Sequence, residues 1–193
     1  MEPPVSLPRA KSHIEAATTA RSKCRGCGER IDAGVLRFGE GLPNPFAEGE
    51  TTHWFHLDCA AFKRPQPFLQ TLEAATGVVD AERLMAEAKR GIEHQRLPRI
   101  NGAERDPSGR AVCRSCRAII AKGTWRIPLV FYEDDRFSAA GFIHAACARE
   151  YFETADVVPR LRRFSPGLGE ADLEEIRSEL QASADQPSRP EGG

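Results

Sequence analysis

The 193-residue chain is 40% hydrophobic, carries 27 basic and 28 acidic side chains for a formal net charge of −1, and contains six cysteines. That length suits one or two domains, and no stretch approaches the ~20 consecutive apolar residues of a membrane-spanning helix. Near-neutrality speaks against a uniformly basic nucleic-acid coat, so the placement of charge matters more than its sum.

From the amino end, Ile14, Ala16 and Thr18 alternate as in a short strand. CRGC at Cys24 to Cys27 follows on a glycine-containing turn, and Val35, Leu36 and Phe38 read as a second strand. GLPNPFAEGE is a loop by its Gly, Pro and Asn content. HWFHLDC then leads Trp54 and Phe55 into His56 and Cys59, with a short helix over 57–62. Asp80 stands where a helix N-cap belongs, before AERLMAEAKRGIEH, whose Leu84, Ala88 and Ile92 share one face. A second pass begins with CRSC at Cys113 to Cys116. A richer strand follows over Trp125, Ile127, Leu129, Val130, Phe131 and Tyr132, then HAAC at His144 to Cys147 and a helix over 145–152. ADLEEIRSELQA places Leu173, Ile176 and Leu180 on one stripe, a core face.

The two passes are one pattern repeated. Cys24 to Cys113 and Cys27 to Cys116 are both offsets of 89, while His56 to His144 and Cys59 to Cys147 are both 88. Each unit reads C-x2-C, a long gap, then H-x2-C, with no cysteine left over. Three thiolates and one imidazole close a tetrahedral structural zinc site and leave no position for a substrate water. Disulfides are the competing account. They require an oxidising compartment, which the opening MEPPVSLPRA, without an apolar signal region, does not suggest. Nor do they explain a histidine recurring at the same place. The expected cofactor is therefore Zn2+, two per chain, on Cys24, Cys27, His56 and Cys59 and on Cys113, Cys116, His144 and Cys147. His53 has no counterpart in the second unit and reads as a surface residue. Units this small bury little core, and metals commonly compensate. The expected organisation is a first module over 10–96, a linker or lead-in over 97–109, a second module over 110–182 and a disordered tail over 183–193.

Charge is distributed unevenly. Arg9 to Arg37 holds seven basic and three acidic residues, and Arg105 to Arg126 six basic and one acidic. Glu170 to Glu191 holds seven acidic and two basic. Positive charge gathers around each cysteine pair, although a solvated charged face would look the same. Arginine outnumbers lysine 22 to 5, a composition that suggests a GC-rich, bacterial genome without settling it.

The ligand spacing, its long gap and HWFHLDC together resemble the zinc finger of poly(ADP-ribose) polymerases (PARP-type) and of one class of eukaryotic DNA ligase. The lead-ins Ile14 to Cys24 and Ala103 to Cys113 resemble that family's V-E-x-A-K-S-G-R-A-x-C, with Thr18 and Pro107 replacing its lysine. The resemblance implies tandem small α+β modules, each a zinc-anchored short antiparallel sheet with packed helices. It also implies binding to broken DNA without sequence readout. Carried over by position, it assigns backbone contacts to Arg21, Arg37, Arg110 and Arg126 and a stacking aromatic to Phe46. Phe46 lies one residue further from the ligand histidine than in the family, so the loop differs slightly. The second module lacks a clean aromatic equivalent: Phe131, Tyr132 and Phe137 are available, but the acidic Glu133 to Asp135 would repel phosphate, and Trp125 and Phe142 read as core.

No Walker loop and no nucleophile beside a base is present, so a non-catalytic role is expected. The implied partners are nicked or ended duplex DNA and a repair enzyme, with no membrane. The setting would be the nucleus in a eukaryote, or the nucleoid in a bacterium. The competing reading is a zinc-stabilised adaptor that binds another protein; the absence of a second ligand set per module counts against it.

Overall fold

The computed structural model describes residues 11–43 and 49–182. The chain divides into two compact units, Met1–Glu93 and His94–Gly193. Among the described residues no helix is long and apolar enough to cross a membrane.

In the first unit, β1 (His13–Ala16), β2 (Leu36–Pro43) and β3 (Glu50–His56) form an antiparallel sheet in sequence order. Strand alternation sets its two faces. Phe38 pairs with Phe55 across β2 and β3, both are fully buried, and Phe68 meets Phe38 edge-on at 5.4 Å. His53 lies on the same face as Phe55. It is buried opposite Glu40, contrary to its expected surface position, because the two-residue period turns it away from Trp54 and His56. The chain continues into α1 (Leu57–Lys63), which carries Cys59, then α2 (Pro65–Leu72) and α3 (Ala81–Glu93). Proline at the first position of α2 costs no intrahelical hydrogen bond and presets φ, which favours a start there. In α3, Leu84 and Ala88 are buried as their spacing predicts, while Asp80 before it takes a left-handed φ of 58° and sits 4.0 Å from Arg83.

The second unit repeats the sheet with β4 (Glu104–Arg105), β5 (Trp125–Glu133) and β6 (Arg136–His144). Asp134 and Asp135 both have positive φ, 48° and 57°, and form the two-residue turn that the twist of a hairpin favours. After β6 a 3-10 turn (Ala145–Cys147) brings the last ligand into α4 (Ala148–Phe152). Then come α5 (Val158–Phe164) and α6 (Glu170–Ala182), with Leu173, Ile176 and Leu180 buried.

Residues 97–109, expected as a linker or lead-in, pack within the second unit. Leu97 and Ile100 are fully buried in the second core beside Ile127, Leu129 and Ile143. Asn101 N–H bonds Pro128 O at 2.9 Å, and Asp106 N–H bonds Thr124 O at 2.9 Å. Gly102, at φ 100°, passes so close to Ser165 that a Cβ would lie 2.3 Å from its Oγ. Pro, Gly, Asn and Asp in this stretch shape turns inside a folded unit, and the boundary falls at Glu93 and His94.

Candidate metal centres

Each C-x2-C segment forms a tight knuckle held by the same backbone bonds. In the first, Cys24 N–H bonds Glu29 O at 2.8 Å, Gly28 N–H bonds Cys24 O at 2.8 Å, and Arg25 N–H reaches Trp54 O on β3 at 2.8 Å. In the second, Cys113 N–H bonds Ala118 O at 2.9 Å, Arg117 N–H bonds Cys113 O at 3.0 Å, and Arg114 N–H reaches Phe142 O at 2.8 Å. Gly26 leaves room for the second ligand pair, since a Cβ there would sit 2.9 Å from Cys59 Cβ. The knuckle is thereby tied to the strand that ends in the ligand histidine.

These ties assemble Cys24, Cys27, His56 and Cys59 in one cluster and Cys113, Cys116, His144 and Cys147 in another, with donor atoms within 4.8 Å of each other. The spacing fits zinc. With Zn–S of ~2.3 Å and Zn–N of ~2.05 Å, a tetrahedral site separates sulfur from nitrogen by ~3.6 Å. Cys27 Sγ and Cys116 Sγ lie 3.5 Å from the Nδ1 of His56 and His144, and Cys147 Sγ lies 3.8 Å from His144 Nδ1. Backbone N–H groups of Gly26 and His56 donate to Cys24 Sγ at 3.3 and 3.4 Å, and His144 N–H to Cys113 Sγ at 3.4 Å.

The thiols themselves respond to this crowding. Hydrogen bonds from Cys27 first and then Cys59 lower Cys24 to about 3. Cys147 lowers Cys113 to about 4, and its own thiol is pushed up by Cys113 in return. Three thiolates together call for a divalent cation in place of their protons. The two sets hold two zinc ions per chain.

The sites differ in their surroundings. His56 Nε2 lies 3.2 Å from Arg30 O, the outer contact that fixes the tautomer leaving Nδ1 for the metal. Among the described residues His144 Nε2 makes no such bond, and Cys116 is exposed where Cys27 is half-buried.

The structure places the five expected DNA-contact residues very differently. Arg21 and Arg110 are exposed, and Phe46 lies outside the described residues. Arg37 is only 7% exposed: it bonds Glu15 Oε1 at 2.5 Å and Ser22 Oγ at 2.6 Å, and covers the Trp54 ring at 3.5 Å. Arg126 is 8% exposed, paired with Glu104 at 2.5 Å and with Asp106, and covers the Phe142 ring at 3.8 Å. Asp106 is itself held below the usual carboxylate range, first by the Gly109 N–H, then by that of Ser108 and by Arg126. Strand register explains the repetition, for Glu15, Arg37 and His56 lie in one cross-strand row, as do Glu104, Arg126 and His144. Both arginines are thus built into the sheet beside a zinc ligand. The glutamates at offset 89 in the two lead-ins were the available sequence signal for this row.

Residues 15–95 match the family described as the poly(ADP-ribose) polymerase and DNA-ligase zinc-finger region. The chain is 26% identical over 140 residues to a poly(ADP-ribose) polymerase of Sarcophaga peregrina, covering 63% of this chain and 14% of that protein. It is 25% identical over 137 residues to that of Drosophila melanogaster, with the same coverage. It is 29% identical over 83 residues to poly(ADP-ribose) polymerase 1 of Gallus gallus, covering 42% of this chain and 8% of that protein. The chain therefore spans about one seventh of the length of the two fly relatives.

Proposed function

We propose that this chain, whose residues 15–95 are a PARP-type zinc finger, binds DNA without reading its sequence, prefers nicks and ends, and performs no chemistry itself. One observation carries the reading. Arg21, Lys23, Arg25 and Arg30, in the segment that forms the first zinc knuckle, are exposed and have no ion pair among the described residues. The same module pairs Arg37, Arg64, Arg83 and Arg90 with carboxylates. Four exposed, unpaired cations in the segment that carries the first ligand pair suit a phosphate backbone, which attracts them without regard to sequence.

Preference for breaks requires an apolar group against an open base pair. Phe46 is the proposed one. In intact duplex a wedge must unstack a step to reach a base face, whereas at a nick or end a face is already open. The animal relatives support a nuclear setting over a nucleoid one, and a recruited repair enzyme is the proposed second partner.

The test is a binding comparison of nicked, blunt-ended, closed circular and single-stranded DNA. Nicked and blunt DNA should bind tightest, and Phe46→Ala should weaken those two alone, by ~1–3 kcal/mol, the worth of one stacking contact. Equal affinity for circular and broken duplex would remove break preference. Absence of DNA binding would leave the protein-adaptor reading.

A further inference from the structure

The second unit contains a cleft of about 330 Å³ on which four arginines converge: Arg96 and Arg99 from the segment before β4, and Arg114 and Arg117 from the zinc knuckle. Phe131 and Tyr151 supply its aromatic walls, and Glu150 is the only carboxylate in the lining. None of the four arginines has an ion pair among the described residues. Elsewhere in the unit Arg105, Arg126, Arg162 and Arg177 are paired with Glu175, Glu104, Glu170 and Glu174. The cleft thus keeps a net positive charge that the surrounding fold does not neutralise.

Two of the guanidinium groups are held in place. Arg96 donates to Tyr151 O at 3.0 Å and lies over the Tyr151 ring at 5.1 Å. Arg99 donates to the Tyr151 hydroxyl at 3.2 Å and lies over the Phe131 ring at 4.6 Å. Each of these bonds uses one N–H, so donors remain for a ligand, with the fork already oriented. Arg114 lies across Gly141, whose Cβ would come within 3.0 Å of its Nε.

Arg117 supplies an independent observation. Its φ is +64°, in the left-handed region, and its counterpart in the first knuckle is Gly28, at φ +79°. Glycine takes this conformation freely and arginine does not. A strained side chain retained at the lip of a cleft points to use of that side chain. Tyr151 likewise corresponds to Lys63 in the first module, which therefore has no counterpart of this aromatic wall.

We infer that this cleft binds a compact phosphorylated ligand of the nucleoside diphosphate class. Arginine forks match phosphate oxygens in pairs, guanidinium planes accept a stacked base, and ligand pockets begin at ~300 Å³. A nucleic-acid strand would call for a continuous basic track, whereas these four arginines converge on one concavity. The inference stands apart from the DNA-binding reading, which rests on the first module.

ADP is the probe, titrated calorimetrically into the zinc-loaded full chain, with pyrophosphate and adenosine for comparison. ADP should fill one site and bind at least ~tenfold tighter than adenosine, with pyrophosphate between them. Arg117→Gly installs the residue that the first knuckle uses, so its melting temperature should stay level or rise while ADP affinity falls by ~fivefold or more. Arg99→Gln should do the same to ADP, and neither variant should change binding to nicked duplex. Failure of ADP to bind at millimolar concentration, or unchanged affinity in both variants, would overturn the inference. So would displacement of ADP by nicked duplex with an equal loss of DNA affinity in Arg117→Gly, since the cleft would then be part of a nucleic-acid surface.

Discussion

A chelator should empty the second zinc site before the first. Among the described residues its histidine makes no outer hydrogen bond like the one from His56 to Arg30 O, and Cys116 is exposed. Outer contacts of this kind are worth ~10–100-fold in metal affinity, about 1.4–2.7 kcal/mol. Zinc supplies ~10–16 kcal/mol in small structural sites, so a module should unfold when its ion leaves. The chain has two tryptophans, one per module, and this permits a direct assay. Trp125 is buried and bonds Glu175 at 3.0 Å, while Trp54 stacks on Arg37. Trp54→Phe leaves Trp125 to report on the second module. The substitution is tolerable because Phe142 occupies the same place under Arg126. Trp125→Phe leaves Trp54 to report on the first. As chelator rises, Trp125 emission should shift at ~10–100-fold lower chelator strength than Trp54 emission. Coincident transitions, or Trp54 first, would refute the argument from outer-sphere bonding.

Metal analysis of chain purified without chelator should give two zinc ions, with Cys27→Ala and Cys116→Ala each reducing the count to one and unfolding only its own module. Arg21→Glu should weaken DNA binding and reduce the log–log salt slope by ~0.9 or more at unchanged melting temperature. Arg126→Gln should do the opposite, lowering the melting temperature of the second module, because it deprives buried Asp106 of its guanidinium. Gly39→Ala would place a Cβ 2.7 Å from Trp54 Cζ3 and should cost ~1–3 kcal/mol of overpacking in denaturant unfolding.

Legibility followed the range of the interactions. Ligand spacing is local and chemically narrow, so both Cys3His sets could be read from the chain before folding. Strands with apolar alternation and the Leu84 and Leu173 helix stripes were legible for the same reason. The carboxylate partners of Arg37 and Arg126 were not, because they lie 22 residues away in sequence and only strand register brings them opposite. For residues 97–109 composition left linker and lead-in open: turn-forming residues look alike in both, and burial of Leu97 and Ile100 arises only from contact with residues far along the chain, Ile127, Leu129 and Ile143. His53 misled because its neighbourhood to ligands in sequence concealed the strand parity that turns it inward.

The duplicated row also explains how two modules of one design can differ in what their arginine does. Arg37 is held by Glu15, whose side chain is 40% exposed, and by the Ser22 hydroxyl. Glu15 is the solvated partner of this pair, so if a phosphate took its place that carboxylate would be left in water and not stranded in the core. Arg126 has an additional partner at Asp106, whose side chain is fully buried and occupies the position of Ala17 in the first module. Withdrawing Arg126 toward a phosphate would strand a buried carboxylate, which proteins tolerate poorly. A single change from alanine to aspartate at equivalent positions thus converts an exchangeable arginine into a locked one. Under the proposed DNA-binding function, Arg37 would be free to join Arg21 at a phosphate, whereas Arg126 would stay with Asp106 and leave Arg110 alone.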